Sequence, residues 1–326
     1  MRNLPLVNVA LAILACACAP GAFPCAWAAD SSVAPSASLQ NELRELAAQA
    51  RPGTLGITVN DLQTGRSWHI NADRAYPMMS VFKAPLGATV LSEAALGKIS
   101  LEQTVIIKRR DLMTAGVSAI AKAFHGDQEA FTVRQLLAAA VSHSDNTAAD
   151  VLLKLVGGPG AVTAFLRAHG ITHMRVDRGE DEIAREFQQG STPRRGYEAY
   201  MGDPRDRTTP DDAALFLQKL WRGELLPAAA THQLLALLYA QTIPDRLRAA
   251  IPGGVRLADK CGTSYTINGM TAAFNDIGIL TWPDGHTVIV AAFLTGSQAP
   301  ESRMNALFKA LAAAVVADLK PSGGVS

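Results

Sequence analysis

In this chain of 326 residues, strand-like alternation is confined to the two ends, and the long stretch between them reads as helix. Residues 54–60 and 67–71 alternate apolar with polar side chains around Gln63-Thr64-Gly65, the pattern of a β-hairpin. The same character returns only at 254–258, 271–280 and 287–294, the last two joined by Trp282-Pro283-Asp284-Gly285. Between these regions apolar residues recur at helical spacing in 82–95, 133–141, 147–155, 160–169, 211–221 and 227–240. Strands supplied by both ends must pair across the whole chain, and apolar stripes at 39–50 and 302–316 predict helices that cover them. The expected fold class is α+β: an antiparallel sheet flanked by helices, forming an α/β sandwich lobe, with an all-helical lobe inserted. The sheet lobe should comprise residues 36–70 plus 247–320 and the helical lobe 71–246, within a single domain over 29–326. Residues 321–326 read as a loose tail.

Hydrophobic residues make up 48% and charged residues 18%, enough apolar side chains for one large core or two lobes. Leaving out Arg2, the basic and acidic side chains balance at 29 each, with no run of either sign. That balance argues against nucleic acid or an anionic membrane surface as a partner. Residues 1–28 have the form of an export signal. Arg2 gives a basic start, residues 4–17 are apolar but too short to span a bilayer, and Ala26-Trp27-Ala28 suits a signal peptidase. A secreted or periplasmic location is expected, without a membrane unless the chain is lipidated at Cys16, the alternative processing site after Ile13-Leu14-Ala15. Cys16, Cys18 and Cys25 all lie in the leader, so cleavage leaves Cys261 alone and excludes an intramolecular disulfide. A monomer is expected.

Three short motifs carry chemistry. In Ser80-Val81-Phe82-Lys83 a helical turn brings the lysine amine back to the serine hydroxyl, which needs a base before it can attack. Such a tetrapeptide occurs about once by chance in a chain of this length. Ser144-Asp145-Asn146 offers a hydroxyl to relay a proton and an amide to hold a substrate carbonyl, although alone it reads as a helix N-cap built on Asp145. Lys260-Cys261-Gly262-Thr263 ends a strand. Its glycine permits close approach of a substrate, the Thr263 N–H can join the Ser80 N–H as an oxyanion hole, and Lys260 adds positive charge for an anionic substrate.

In this order the motifs resemble the serine β-lactamases of class A and, more distantly, the penicillin-binding proteins, whose established signature they form. The resemblance runs from about residue 39 to 319. It includes Gly202-Asp203-Pro204-Arg205-Asp206-Arg207-Thr208-Thr209-Pro210, similar to the exit of the family's Ω-shaped loop, and Asn275-Asp276-Ile277-Gly278, similar to its paired C-terminal strands. It implies hydrolysis of a small-molecule β-lactam, and hence antibiotic resistance, without a cofactor or metal. Ser80 would form the acyl-enzyme with help from Lys83. Ser144 would protonate the departing nitrogen, Asn146 would orient the substrate amide, and Lys260 would attract its carboxylate. The base that activates the deacylating water would be Glu180 in Asp177-Arg178-Gly179-Glu180, with Glu182 and Glu186 as rivals.

Two departures from the family pattern stand out. Ala184 replaces the asparagine that helps to hold the water, in a loop at 178–206 longer than usual by roughly a dozen residues. Cys261 replaces Thr or Ser. Its thiol donates weakly to a carboxylate, which predicts a raised KM; Lys260 could instead lower its pKa, or it could be a small buried side chain facing away from the cleft. Arg246, in Ile243-Pro244-Asp245-Arg246-Leu247-Arg248, is placed to grip the substrate carboxylate, with Arg248 supporting structure. Val117-Ser118-Ala119-Ile120 resembles the rim opposite Asn146, with Val117 where an aromatic is common. His143 lacks the Gly-x-Ser-x-Gly elbow of a triad serine, and a turn at Gly170-Ile171-Thr172 separates His169 from His173, so no zinc pattern forms. Two other activities fit the same motifs: a DD-peptidase or penicillin-binding protein acting on peptidoglycan, and a β-lactam sensor without turnover.

Overall fold

Both ends of the chain meet in one antiparallel sheet of five strands, ordered β2-β1-β5-β4-β3. These are β1 (Thr54–Asp61), β2 (Ser67–Ile70), β3 (Arg256–Thr263), β4 (Phe274–Thr281) and β5 (Thr287–Thr295). Register is continuous, with Thr54 opposite Thr295 and Phe274 opposite both Leu294 and Thr263. The computed structural model describes residues 36–114, 116–189 and 193–320. The expected leader at 1–28 with Cys16, Cys18 and Cys25, and the tail at 321–326, lie outside them.

Helices used below are, in chain order, α1 (Ala37–Gln49), α2 (Lys83–Ala95), α3 (Asn146–Leu155), α4 (Glu180–Gln189), α5 (Pro193–Gly202), α6 (Pro210–Trp221), α7 (Ala228–Tyr239) and α8 (Glu301–Leu319). The sheet is buried on both faces, which β5 shows by its alternation. Ile289, Ala291 and Phe293 pack with the inserted lobe, whereas Val288, Val290, Ala292 and Leu294 pack with α1 and α8. On α1 the stripe Leu39, Leu43 and Leu46 is buried, each side chain worth about 1.5–3 kcal/mol. The Ser36 hydroxyl caps α1 through the Leu39 N–H at 3.3 Å and donates to Asp318 at 2.6 Å, tying the first helix to the last.

Three features were not foreseen. The inserted lobe is not wholly helical: residues 104–108 pair antiparallel with 128–132, where the β-branched Val105, Ile106 and Ile107 favour a strand. The helix expected over 133–141 is α-helical only at Val133–Leu137 and widens into a π-helix over Ala138–Ser142, immediately before the Ser144 motif. The long loop at 178–206 contains α4 and α5. Acidic Glu180, Asp181 and Glu182 suit the first turn of α4, and Ile183 with Phe187 gives it an apolar face.

Candidate active site

Ser80 lies in a 3₁₀ turn, Met79–Phe82, that feeds directly into α2. The tighter turn eclipses positions three apart, so the Lys83 amine falls 3.0 Å from the Ser80 hydroxyl. Met79 precedes the serine in the left-handed region, at φ 47°, which a branched or bulky residue adopts only under constraint from its surroundings. Asn275 on β4 supplies one constraint, donating its side-chain amide to the carbonyls of Pro77 at 2.8 Å and Met78 at 3.1 Å.

Lys83 is fully buried and is the hub of the site. Its amine approaches the Ser80 hydroxyl, the Ser144 carbonyl at 2.8 Å, Asn146 Oδ1 at 2.5 Å and Glu180 Oε1 at 3.0 Å. Ser80 also donates to Glu180 Oε1 at 3.2 Å, so its hydroxyl faces an amine and a carboxylate together. Ser144 reaches the site from a left-handed position, at φ 56°. Asp145 caps α3 through Ala148 N–H and also accepts from the Ser118 hydroxyl and Ile120 N–H, locking the rim segment in place. The Asn146 N–H donates to the Val117 carbonyl at 3.1 Å, which places Val117 beside Asn146 at that rim.

Lys260 enters from β3, fully buried, with its amine 2.9 Å from Ser144 Oγ. Burial, reinforced by the charges of Lys83 and Arg246, pulls its pKa below the usual lysine value. Gly262 explains how β3 lies so near the nucleophile: an added Cβ would meet the Met78 carbonyl at 2.4 Å and the Ser80 nitrogen at 3.1 Å. Thr263 follows at the exposed end of the strand. Arg246, buried and itself left-handed at φ 57°, donates to the Thr263 hydroxyl and, at 2.7 Å, to the Asn275 carbonyl, with its guanidinium 3.9 Å from the Phe274 ring centroid. Arg248 instead bonds Asp259 and the Leu257 carbonyl, the supporting role expected of it.

Cys261 is 2% exposed, its sulfur 3.9 Å from the Gln241 amide. Burial pushes the thiol pKa up despite the positive charges of Lys260 and Arg246. The expectation of a lysine-activated thiol is therefore corrected, because desolvation outweighs the neighbouring charge.

Among the three acidic residues considered for water activation, only Glu180 meets Ser80. Glu182 is exposed, and Glu186 pairs with Arg178 and Arg205. Ala184 stands one helical turn beyond Glu180 and offers no polar atom. The loop is held by Arg178, 1% exposed, which bonds Asp206 at 2.6 Å and reaches Asp203 at 3.1 Å. Asp150 on α3 was missed by sequence reasoning. Its carboxylate accepts the Glu180 N–H at 2.7 Å and the Asp181 N–H at 2.8 Å, capping α4 from another helix. Gly179 makes room, since a Cβ there would lie 2.6 Å from Asp150 Oδ1. Burial, with the nearby Glu180 charge, raises the Asp150 pKa to about 6 even though both backbone bonds oppose the shift. No local pattern marks it, because the contact runs from one helix to the start of another.

A model of the β-lactamase enzyme family matches residues 38–319. Over 258 residues the chain is 36% identical to the extended-spectrum β-lactamase PER-1 of Pseudomonas aeruginosa, covering 78% of this chain and 79% of that one. It is 38% identical over 259 residues to β-lactamase L2 of Stenotrophomonas maltophilia, covering 78% of each. Among solved structures, a β-lactamase from Chitinophaga pinensis superposes with a TM-score of 0.78 at 29% identity, over 86% of this chain and 98% of that one. A class A β-lactamase representing the last common ancestor of Gram-negative bacteria gives 0.75 at 37% identity, over 86% and 99%.

Proposed function

The chain belongs to the class A β-lactamase family, and from that premise we propose how its own residues divide the work. It hydrolyses the β-lactam ring of penicillins or cephalosporins through a serine acyl-enzyme and so confers resistance. The observation that carries the assignment of roles is the placement of one hydroxyl, Ser80, at 3.0 Å from Lys83 and 3.2 Å from Glu180.

In acylation the Ser80 oxygen attacks the lactam carbonyl and its proton passes to the Lys83–Glu180 pair. The carbonyl oxygen takes the negative charge and is held by the N–H groups of Ser80 and Thr263. Collapse breaks the carbon–nitrogen bond; Ser144, its oxygen bonded to Lys260 at 2.9 Å, gives its proton to the leaving nitrogen and regains one from the Lys83–Glu180 pair, which leaves Glu180 ionised again. Asn146 orients the substrate amide. Lys260 and Arg246 draw the substrate carboxylate toward Thr263. In deacylation Glu180 takes a proton from water, the hydroxide attacks the ester, and Ser80 leaves with a proton returned to it. Without a polar side chain at Ala184, Glu180 positions that water with less help than the family pattern provides.

The leader at residues 1–28 supports export to the periplasm or beyond, and the balanced charge argues against an electrostatic hold on an anionic membrane surface. Mixing the purified protein with excess chromogenic cephalosporin, and following product together with intact mass, tests the whole reading. Sustained turnover with a transient adduct is expected. One stoichiometric burst with a lasting adduct would make the protein a sensor, and release of D-alanine from a stem peptide would make it a peptidase.

A further inference from the structure

The long loop does more than carry Glu180. Tyr200, on α5, is 5% exposed and donates its hydroxyl to the Met79 sulfur at 2.9 Å. Met79 is the residue before the nucleophile, and its left-handed φ of 47° sets the orientation of the peptide that carries the Ser80 N–H. A return of Met79 to the right-handed region would turn that N–H away from the oxyanion position. Sulfur is a weak acceptor, but a buried hydroxyl gains from any partner it has there.

The contact belongs to a small apolar cluster of its own. Met79 packs with Ile183 and Phe187 of α4, with Tyr200, and with Ala272 and Ala273 before β4. The Phe187 and Tyr200 rings meet edge to face at 4.8 Å, and the Arg178 guanidinium lies 5.7 Å from the Tyr200 centroid. Arg207 holds the same stretch of α5 through the Met201 carbonyl at 2.6 Å and the Tyr200 carbonyl at 3.2 Å, and Arg207 itself pairs with Pro77. The extra residues of the loop thus converge on the side chain immediately preceding the nucleophile. Burial keeps the Tyr200 hydroxyl protonated well beyond neutral pH, so it stays a donor.

We propose that Tyr200 is a positioning residue for the acylation step, holding Met79 left-handed so that the Ser80 N–H stays aimed at the oxyanion. The inference rests on Ser80 as the nucleophile. It links the segment that deacylates to the donor that acylates, so changes in the loop should be felt in both half-reactions.

The test is a mutant cycle read by single-turnover kinetics. Tyr200→Phe keeps the ring and removes the hydroxyl. Its acylation rate should fall about fivefold, the size of one net hydrogen bond, with the thermal midpoint nearly unchanged. Met79→Leu removes the acceptor, and in that background Tyr200→Phe should have no further effect on acylation. Met79→Gly, free to adopt positive φ, should likewise make acylation insensitive to Tyr200→Phe. Unchanged acylation in Tyr200→Phe, or an equal loss in all three backgrounds, would overturn the proposal while leaving Ser80 in its role. Failure of the unsubstituted protein to form any Ser80 adduct would overturn the nucleophile assignment and this inference together.

Discussion

The two halves of the site are built from different materials. The acylating half sits on elements with deep burial: Lys83 opens α2, whose first nine residues are all buried, and Lys260 lies in the middle of β3. Its parts come from distant points of the chain, yet each is fixed by an extensive core. The half to which deacylation is assigned hangs on one carboxylate at the start of α4, held by backbone N–H bonds that Asp150 accepts and by the ion pairs around Arg178. Bonds of that kind are directional and titratable, whereas packing is neither. The second half should therefore respond to pH and to single polar substitutions more steeply than the first, which feels the loop through Met79.

The largest effects separate the halves cleanly. Ser80→Ala should abolish both product and covalent adduct in intact-mass measurements, because no other hydroxyl can take the attack from its position. Glu180→Ala should still acylate but accumulate the adduct, with deacylation slower by about 10²–10⁴, the usual worth of a general base. Normal turnover by Glu180→Ala would move the base role elsewhere and dissolve the contrast.

A smaller effect sharpens it. The Asp150 carboxyl has its pKa raised from 3.8 to about 6, chiefly by burial. Between those values the native state binds this proton more tightly than the unfolded chain, so stability falls as pH rises. The full contribution, about 3 kcal/mol at 1.36 kcal/mol per pKa unit, is present below about pH 4 and lost by about pH 6. Asp150→Asn removes the titration and one of the two caps. Urea midpoints for both proteins at pH 4 and pH 6.5 should show the gap, unsubstituted protein minus Asp150→Asn, falling at the higher pH, because only the unsubstituted protein loses stability through this titration. A gap independent of pH would mean that Asp150 does not titrate in this window.

The same contrast governs how much could be read from the chain. That Ser80, Lys83, Ser144, Asn146, Lys260 and Gly262 come together was legible because they occupy three short motifs of fixed spacing, Glu180 came only from the family resemblance, and the sheet was legible from alternation at the two ends. Asp150 was not, since it acts across from one helix onto the N-terminus of another and no local pattern marks that. The helices of the long loop escaped because α4 and α5 gain their stability from Met79, Ala272 and Ala273, far away in sequence. The π-helix before Ser144 lies in an Ala-rich run whose composition suits an α-helix equally well.

Cys261 offers the smallest and most discriminating change. Loss of a hydroxyl at this position predicts weakened binding of the substrate carboxylate, so that Cys261→Thr should lower KM. The structure argues for a smaller role. The sulfur is buried beside Gln241, and the residues that meet the open end of β3 are Thr263 and its partner Arg246, one strand repeat further on. A threonine hydroxyl there would find Gln241 before it found a substrate, and the contact it replaces is a weak one at 3.9 Å. KM and kcat for Cys261→Thr should therefore stay within about twofold of the parent, well below the worth of one net hydrogen bond. Arg246→Ala, by contrast, should raise KM by an order of magnitude or more, since a guanidinium–carboxylate pair contributes about 1.5–3 kcal/mol. A tenfold fall in KM for Cys261→Thr would reverse that ranking and place position 261, rather than the Arg246–Thr263 pair, against the substrate carboxylate.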